Sequence, residues 1–375
     1  MNNKSTYFKT AIVYDWLDSK GGIERVIPII INEFKNADLF TSYFDPSIVT
    51  WAKKYTIKTS FIDKLPSFIK KNRLLSLFLY PYAFESFNFS DYDLVISISS
   101  SFAKSIITKP QTRHISYMLT PTRYFWIDET SYFKNPFIKF VSKFILPNLK
   151  KWDFLASRRP NKIVAISNLV QKRIKKYYKR DSEVIYPPFD LNYWIKIKSE
   201  INKTQKKSDQ NYYLVVSRLE PYKRINLVID TFNKIDEKLI IVGVGSQYKK
   251  LKKMAGKNIE FKKNISDIEL ACFYENANAL IMPQIEEFGM TSLEAQFFGC
   301  PVISYKKSGA AETIIENKTG LFFDQQTTTS LAAAIVRYKS LSYNLKNSTV
   351  ENNLNNIKRF GKEKFVYNFR KLINL

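Results

Sequence analysis

Residues 278–303 read NALIMPQIEEFGMTSLEAQFFGCPVI. The apolar run before Pro283 suits a buried strand, and MTSLEAQFFG has the length and apolar spacing of a short helix. Between them lies a Phe288-Gly289 turn, and after the helix a second apolar run begins at Pro301. This is a strand-turn-helix unit of an α/β protein.

Working outward, the same alternation covers the chain. Strand candidates AIVY, DLVISIS, RHISYML and KIVAIS alternate with helical stretches in the first half, and YYLVVS, KLIIVG, NALIMP and PVISY do so in the second. The 375 residues are enough for two sizeable cores. Pro187-Pro188 interrupt regular structure and a polar, lysine-rich run follows, so the expected organisation is residues 1–190, a linker at 191–210, and a second domain at 211–355. Residues 356–375 are expected as a closing helix.

The turn in the quoted stretch carries chemistry. Backbone N–H groups that open a helix are unpaired and, with the positive end of the helix dipole, suit a phosphate or another electron-rich oxygen. Gly289 permits close approach to that backbone. Glu286 and Glu294 stand eight apart around the turn, where carboxylates can accept hydrogen bonds from sugar hydroxyls and a vicinal diol. Thr291 and Glu294 also fit a capping box, so Glu294 has a purely structural alternative.

A second piece lies in YYLVVSRLEPYKRINLVIDTF, residues 212–232, where a strand ends at Ser217-Arg218 and a helix follows Lys223. Arg218 offers a planar fork of donors and Lys223 a point charge, a pair able to neutralise a diphosphate. In so basic a chain two nearby cations also fit an ordinary solvated surface. Two strand-glycine-helix units, at Gly21-Gly22 and at Gly243 and Gly245, open the two halves. Neither completes a dinucleotide fingerprint, which weakens an oxidoreductase reading, and no phosphate-loop motif occurs. Their order fits two Rossmann-like domains facing across a cleft.

The pattern PQxEEFGxTxLEAQxxGxPVI, with SRLxxxK upstream, resembles the donor-site signature of glycosyltransferase family 4, retaining enzymes with the GT-B fold. The resemblance extends over most of the chain. It implies Glu286 at the donor sugar, Phe288, Gly289, Met290 and Thr291 as a backbone cradle, Glu294 at the nucleotide ribose, and Arg218 and Lys223 on the diphosphate. It further implies Gly21 and Gly22 near the phosphate, Gly243 near the base, and a C-terminal helix packing back on the N-terminal domain.

The stretch RHISYMLTPTRYFWIDET, residues 113–130, is similar to members that build bacterial surface polysaccharides, especially mannosyltransferase-like ones. Those carry a histidine beside the donor sugar where this chain has Leu119. His114 lies five residues earlier, on the strand, and is expected to be structural. The resemblance places Arg123, Tyr124 and Trp126 on the acceptor side. It implies transfer of a hexose, best mannose from GDP-mannose, from a nucleotide-sugar donor to a lipid-linked saccharide acceptor. A UDP-sugar donor is one alternative. The loss at Leu119 motivates another, a catalytically silent nucleotide-sugar binder.

The net charge is +25, spread as +14 through residue 190 and +11 beyond it. Residues 161–180 carry seven cations and no acid, and residues 51–90 interleave seven cations with aromatics. Basic-aromatic segments suit an anionic membrane surface. No nucleic-acid module accompanies the charge, so no nucleic-acid partner is expected. Neither a signal-peptide pattern nor an apolar run approaching eighteen residues is present, giving an expectation of a cytoplasmic protein peripheral to the inner membrane face. Cys272 and Cys300 read as reduced core residues. No cofactor and no obligatory metal are expected.

Overall fold

The computed structural model describes residues 8–19, 21–34, 37–73, 75–129, 136–204, 211–347 and 349–373. Two compact units divide at Ile185 and Tyr186. The lysine-rich end of the expected linker, residues 205–210, lies outside the described residues.

The first unit is a seven-stranded sheet in the order β3-β2-β1-β4-β5-β6-β7. Its strands are β1 (Thr10–Tyr14), β2 (Asp38–Thr41), β3 (Ile57–Thr59), β4 (Leu94–Ser99), β5 (Arg113–Met118), β6 (Lys162–Ala165) and β7 (Glu183–Val184). All six pairings are parallel. Both faces are covered, which is why β1 and β4 are buried along their whole length. One face carries Ala11, Val13 and Val95 against Tyr80, Phe84, Phe102, Leu146 and Leu149.

The second unit repeats the plan in six strands, ordered β10-β9-β8-β11-β12-β13. These are β8 (Tyr213–Val216), β9 (Leu239–Val242), β10 (Ile259–Lys262), β11 (Leu280–Met282), β12 (Val302–Tyr305) and β13 (Gly320–Phe323). Again every pairing is parallel. In both sheets the order reverses beside the first strand, between β1 and β4 and between β8 and β11. Loops leaving the carboxyl ends of those neighbours diverge and leave a crevice, the usual ligand position in such folds.

Residues 191–204, expected as open linker, form a helix. Asp190 Oδ1 accepts the Tyr193 N–H at 3.1 Å, an N-cap the prolines upstream obscured. Trp194, Ile197 and Ile201 fall on one buried face, so packing overrides the polar composition of the rest.

Candidate functional site

At the switch point of the second unit, β8 leads through Ser217-Arg218 into a short 3-10 turn, Pro221–Lys223, and then the helix Ile225–Phe232. Next to it, β11 leads through Gln284 and Glu286 to Gly289 and the helix Met290–Phe297. The two motifs, sixty-three residues apart at their contact, meet where Lys223 Nζ donates to Glu286 Oε1. Gln284 Nε2 donates to the same oxygen at 2.7 Å. Both charges are mostly but not fully covered, and the carboxylate therefore stands at a strand exit with its orientation fixed by two donors.

The backbone of this turn is braced by the loop after β12. Glu286 N–H donates to Ser308 Oγ at 2.9 Å and Gly309 N–H donates to the Glu286 carbonyl at 2.8 Å. Gly289 has φ +94, and a Cβ there would lie 2.7 Å from the Ala310 Cβ, so glycine is required twice over. The helix it opens is anchored by buried Gln296, which donates to Ser292 Oγ and the Thr313 carbonyl, while Asn356 donates to Gln296 Oε1.

The capping-box alternative for Glu294 does not form. Gly289 is the N-cap, without a side-chain cap, and Thr291 instead points to Met282 Sδ at 4.0 Å. Glu294 is buried and accepts from the Tyr274 hydroxyl at 3.0 Å. Phe288 turns inward, stacked on Tyr186 at 5.6 Å and edge-on to Phe360, so only its backbone faces the turn. Met290 begins the helix. Arg218 is exposed, with Nη2 donating to the Tyr222 hydroxyl at 2.9 Å. The glycines after β9 serve a loop contact: a Cβ on Gly245 would sit 2.6 Å from the Leu219 backbone, Gly243 is crowded by Ser217, and Leu219 N–H donates to the Val244 carbonyl at 2.8 Å.

In the first unit, Gly21 caps the helix Gly22–Glu33, and the Glu24 carboxylate accepts the Gly21 N–H. That helix start is thus occupied by an acidic side chain of its own. Arg123 is paired with Asp128, Tyr124 packs edge-on against Phe125 at 4.8 Å, and Trp126 Nε1 donates to Asp153 Oδ2 at 2.7 Å. Burial pushes the Tyr124 phenol well above its ordinary pKa. Leu119 is partly exposed at the end of β5. His114 is buried, with Nε2 2.9 Å from Ser97 Oγ and Nδ1 lacking a partner among the described residues. Desolvation, followed by Arg180 and Arg159, lowers its pKa to about 3, so it stays neutral and structural.

Two carboxylates passed unnoticed in the sequence. Asp15 is fully buried at the end of β1 and accepts four backbone N–H groups, from Ser100, Ser101, Phe102 and Ala103, at 2.6 to 3.0 Å. Asp153 accepts from Lys104 Nζ at 2.6 Å, Thr122 Oγ1 at 2.8 Å, Trp126 Nε1 at 2.7 Å and the Tyr178 hydroxyl at 2.7 Å. Asp15 fixes the crevice loop after β4, and Asp153 fixes the segment that presents Arg123 and Tyr124. An isolated aspartate directly after an apolar run was the only available signal for the first. The partners of the second come from three distant places in the chain, Lys104, the segment of Thr122 and Trp126, and Tyr178.

Among the described residues, no group of three His, Cys, Asp or Glu could hold a metal ion, and no helix is long and apolar enough to cross a membrane. Neither Cys272 nor Cys300 is in a disulfide; Cys300 is buried as expected, whereas Cys272 is only half-buried.

Residues 196–355 match the family model described as glycosyl transferases group 1. An uncharacterized glycosyltransferase of Methanocaldococcus jannaschii is 27% identical over 58% of this chain and 60% of its own length. A GDP-mannose-dependent alpha-(1-6)-phosphatidylinositol monomannoside mannosyltransferase of Mycobacterium tuberculosis is 28% identical over 37% of this chain and 40% of that one. The chain thus spans less than two thirds of either relative. Among solved structures, sucrose-phosphate synthase from Thermosynechococcus elongatus superposes with a TM-score of 0.73 at 16% identity, covering 98% of each chain. HepE of Anabaena in complex with UDP gives 0.70 at 17% identity, covering 98% of this chain and 99% of that one. The fold is that of GT-B glycosyltransferases, with two parallel-sheet Rossmann-like domains.

Proposed function

We propose that this chain is a retaining glycosyltransferase of family 4, transferring a hexose from a nucleotide sugar to a lipid-linked saccharide in bacterial surface-polysaccharide assembly. The observation that carries this reading is the meeting of Lys223 and Glu286 at the switch point of the second unit. An interior charge pair is weak evidence for stability, and one left partly open at a strand exit is better placed for a ligand.

In this reading Arg218 and Lys223 bind the donor diphosphate and stabilise the charge that grows as the bond from the sugar's anomeric carbon to the phosphate oxygen breaks. The departing phosphate oxygen takes the proton of the acceptor hydroxyl, whose oxygen forms the new bond on the same face. Glu286 holds sugar hydroxyls, and Glu294, freed from helix capping, holds the ribose diol. The N–H groups of Met290 and Thr291, opening the helix behind Gly289, receive phosphate oxygen. All the charge stabilisation comes from side chains and helix N–H groups, so turnover in excess chelator is expected to equal turnover without it.

The mannosyltransferase among the relatives supports mannose from GDP-mannose as the donor. A UDP-sugar is the second reading, favoured by the UDP bound in HepE. Thermal unfolding against GDP-, UDP-, dTDP- and ADP-sugars separates them, because ligand at a hundred times its Kd stabilises the folded state by about 2.7 kcal/mol. Stabilisation by one nucleotide names the base, and no stabilisation by any of them refutes a donor site.

A further inference from the structure

Glu286 Oε1 is shared by two donors, the Lys223 ammonium and the Gln284 amide, the latter at 2.7 Å. Gln284 is 2% exposed, and its own carbonyl oxygen, Oε1, is buried with no hydrogen-bond partner among the described residues. A native interior leaves few polar atoms in that state, and each one calls for a reason. Turning the amide over would set its oxygen against the carboxylate and bury the NH2 group unbonded instead, so the bond to Glu286 fixes its orientation. An apolar side chain of similar size would fill the position without that cost.

The chain around Gln284 is held as well. Gln326 Nε2 donates to the Pro283 carbonyl at 2.6 Å, Ile285 packs on the core of the second unit, and the Glu286 N–H donates to Ser308 Oγ at 2.9 Å. The amide therefore acts from a braced strand exit. Lys223 differs in kind, a flexible point charge with three donors that a diphosphate also attracts. A carboxylate held by Lys223 alone would lose its anchor as the ammonium turned to phosphate, at the moment it must grip the sugar.

We propose that Gln284 is a positioning residue for the sugar half of the donor, an uncharged anchor that keeps Glu286 aimed and ionised after Lys223 engages the diphosphate. The inference rests on the donor site proposed above and divides its work: Lys223 answers to the phosphates, and Gln284, through Glu286, to the sugar hydroxyls. A hydrogen bond donated to the ionised carboxylate favours the charged form, so without the amide sugar recognition fails at a higher pH on acidification. The unbonded carbonyl is a cost in stability retained for function, a trade that active sites commonly make.

The test measures dissociation constants of the full chain for GDP and GDP-mannose and for UDP and UDP-glucose. Within the pair whose base the chain binds, the ratio of the two constants is the contribution of the sugar. Gln284→Met, close in volume, should keep the wild-type affinity for the nucleoside diphosphate and lower that ratio by about tenfold or more, with a urea midpoint equal to or above the wild type. Gln284→Ala, which adds no bulk, should show the same fall in the ratio. Lys223→Met should do the reverse, losing affinity for the diphosphate while the ratio holds. On acidification, the sugar's share should vanish at a higher pH in Gln284→Met than in the wild type. A wild-type ratio in both Gln284 variants overturns the proposal. So does a ratio that falls together with diphosphate affinity and the urea midpoint, the mark of a merely structural residue. A wild type that binds a diphosphate and gains nothing from the sugar overturns it while leaving the donor site standing, and a wild type that binds none of the four overturns both.

Discussion

Replacing Asp153 with Asn tests how the first unit holds the segment from Thr122 to Trp126. The carboxylate is fully buried and its partner Lys104 is 1% exposed, with four donors converging on two oxygens. Asparagine keeps one acceptor oxygen for Lys104 and Thr122, but it sets an NH2 against the Trp126 N–H, which cannot accept. An ammonium is then left in the interior without a counter-charge, a loss of about 3–5 kcal/mol, and one orphaned donor adds about 1–3 kcal/mol in isolation. These terms share partners and do not sum, so the expected destabilisation is about 3–5 kcal/mol, a large part of a typical 5–15 kcal/mol. Urea unfolding followed by tryptophan fluorescence reads it well, because four of the five tryptophans lie in the first unit. Lys104→Met combined with Asp153→Leu should recover much of the loss, since both charges leave together. A single variant within about 1 kcal/mol of wild type, or a double variant as unstable as the single, would refute the reasoning.

Lys223→Ala and Glu286→Ala are each expected to cut donor turnover by about 10²–10³-fold, as loss of a charge-stabilising group does, while unfolding midpoints move little; wild-type rates in both would remove the pair from the site. Gly289→Ala places a Cβ at φ +94 and 2.7 Å from Ala310, and should lower stability by about 2 kcal/mol or more, measured by urea unfolding, with loss of nucleotide-dependent stabilisation. His114 titrates near 6.5 when unfolded and at about 3 when folded, so protons bind the unfolded chain preferentially and stability falls as pH drops from about 6.5 to about 3. The slope is at most about 1.4 kcal/mol per pH unit, and His114→Gln should remove that share from a pH series of unfolding free energies.

What the sequence revealed follows burial. Strands β1, β4, β5, β6, β8, β9, β11 and β12 are central or nearly so, covered on both faces, and they stand out as continuous apolar runs. The edge strands escape such a reading: Ile57–Thr59 is three residues with a lysine at its centre, and Glu183–Val184 is two. The helix at 191–204 was masked because its apolar face is narrow and its other face carries lysines. At the candidate site, Glu286, Lys223 and Gly289 were legible as a pattern of spacings, but the Lys223–Glu286 contact needed the adjacency of β8 and β11. Gly309 was invisible as a site residue, since its role is to let one loop backbone lie against another.

The two units use buried acid differently, and that difference bears on Leu119. In the first unit Asp15 is saturated by four backbone N–H groups and Asp153 by four side-chain donors, so neither has capacity left for a ligand. Their charge is committed to holding loop geometry, and Arg123 and Trp126 are likewise held by internal partners. In the second unit Glu286 and Lys223 sit partly open at the exits of adjacent strands. Under the proposed function, the partly open pair of Lys223 and Glu286 is the charge that meets a nucleotide diphosphate. Position 119, where the resembling family carries a histidine, belongs to the first unit, and the Lys223–Glu286 pair of the second unit does not depend on it. Under the proposed function, loss of the histidine is therefore expected to alter which sugar is favoured or how fast it moves rather than to silence the site, and donor turnover by this chain, whose position 119 is already Leu, is the check.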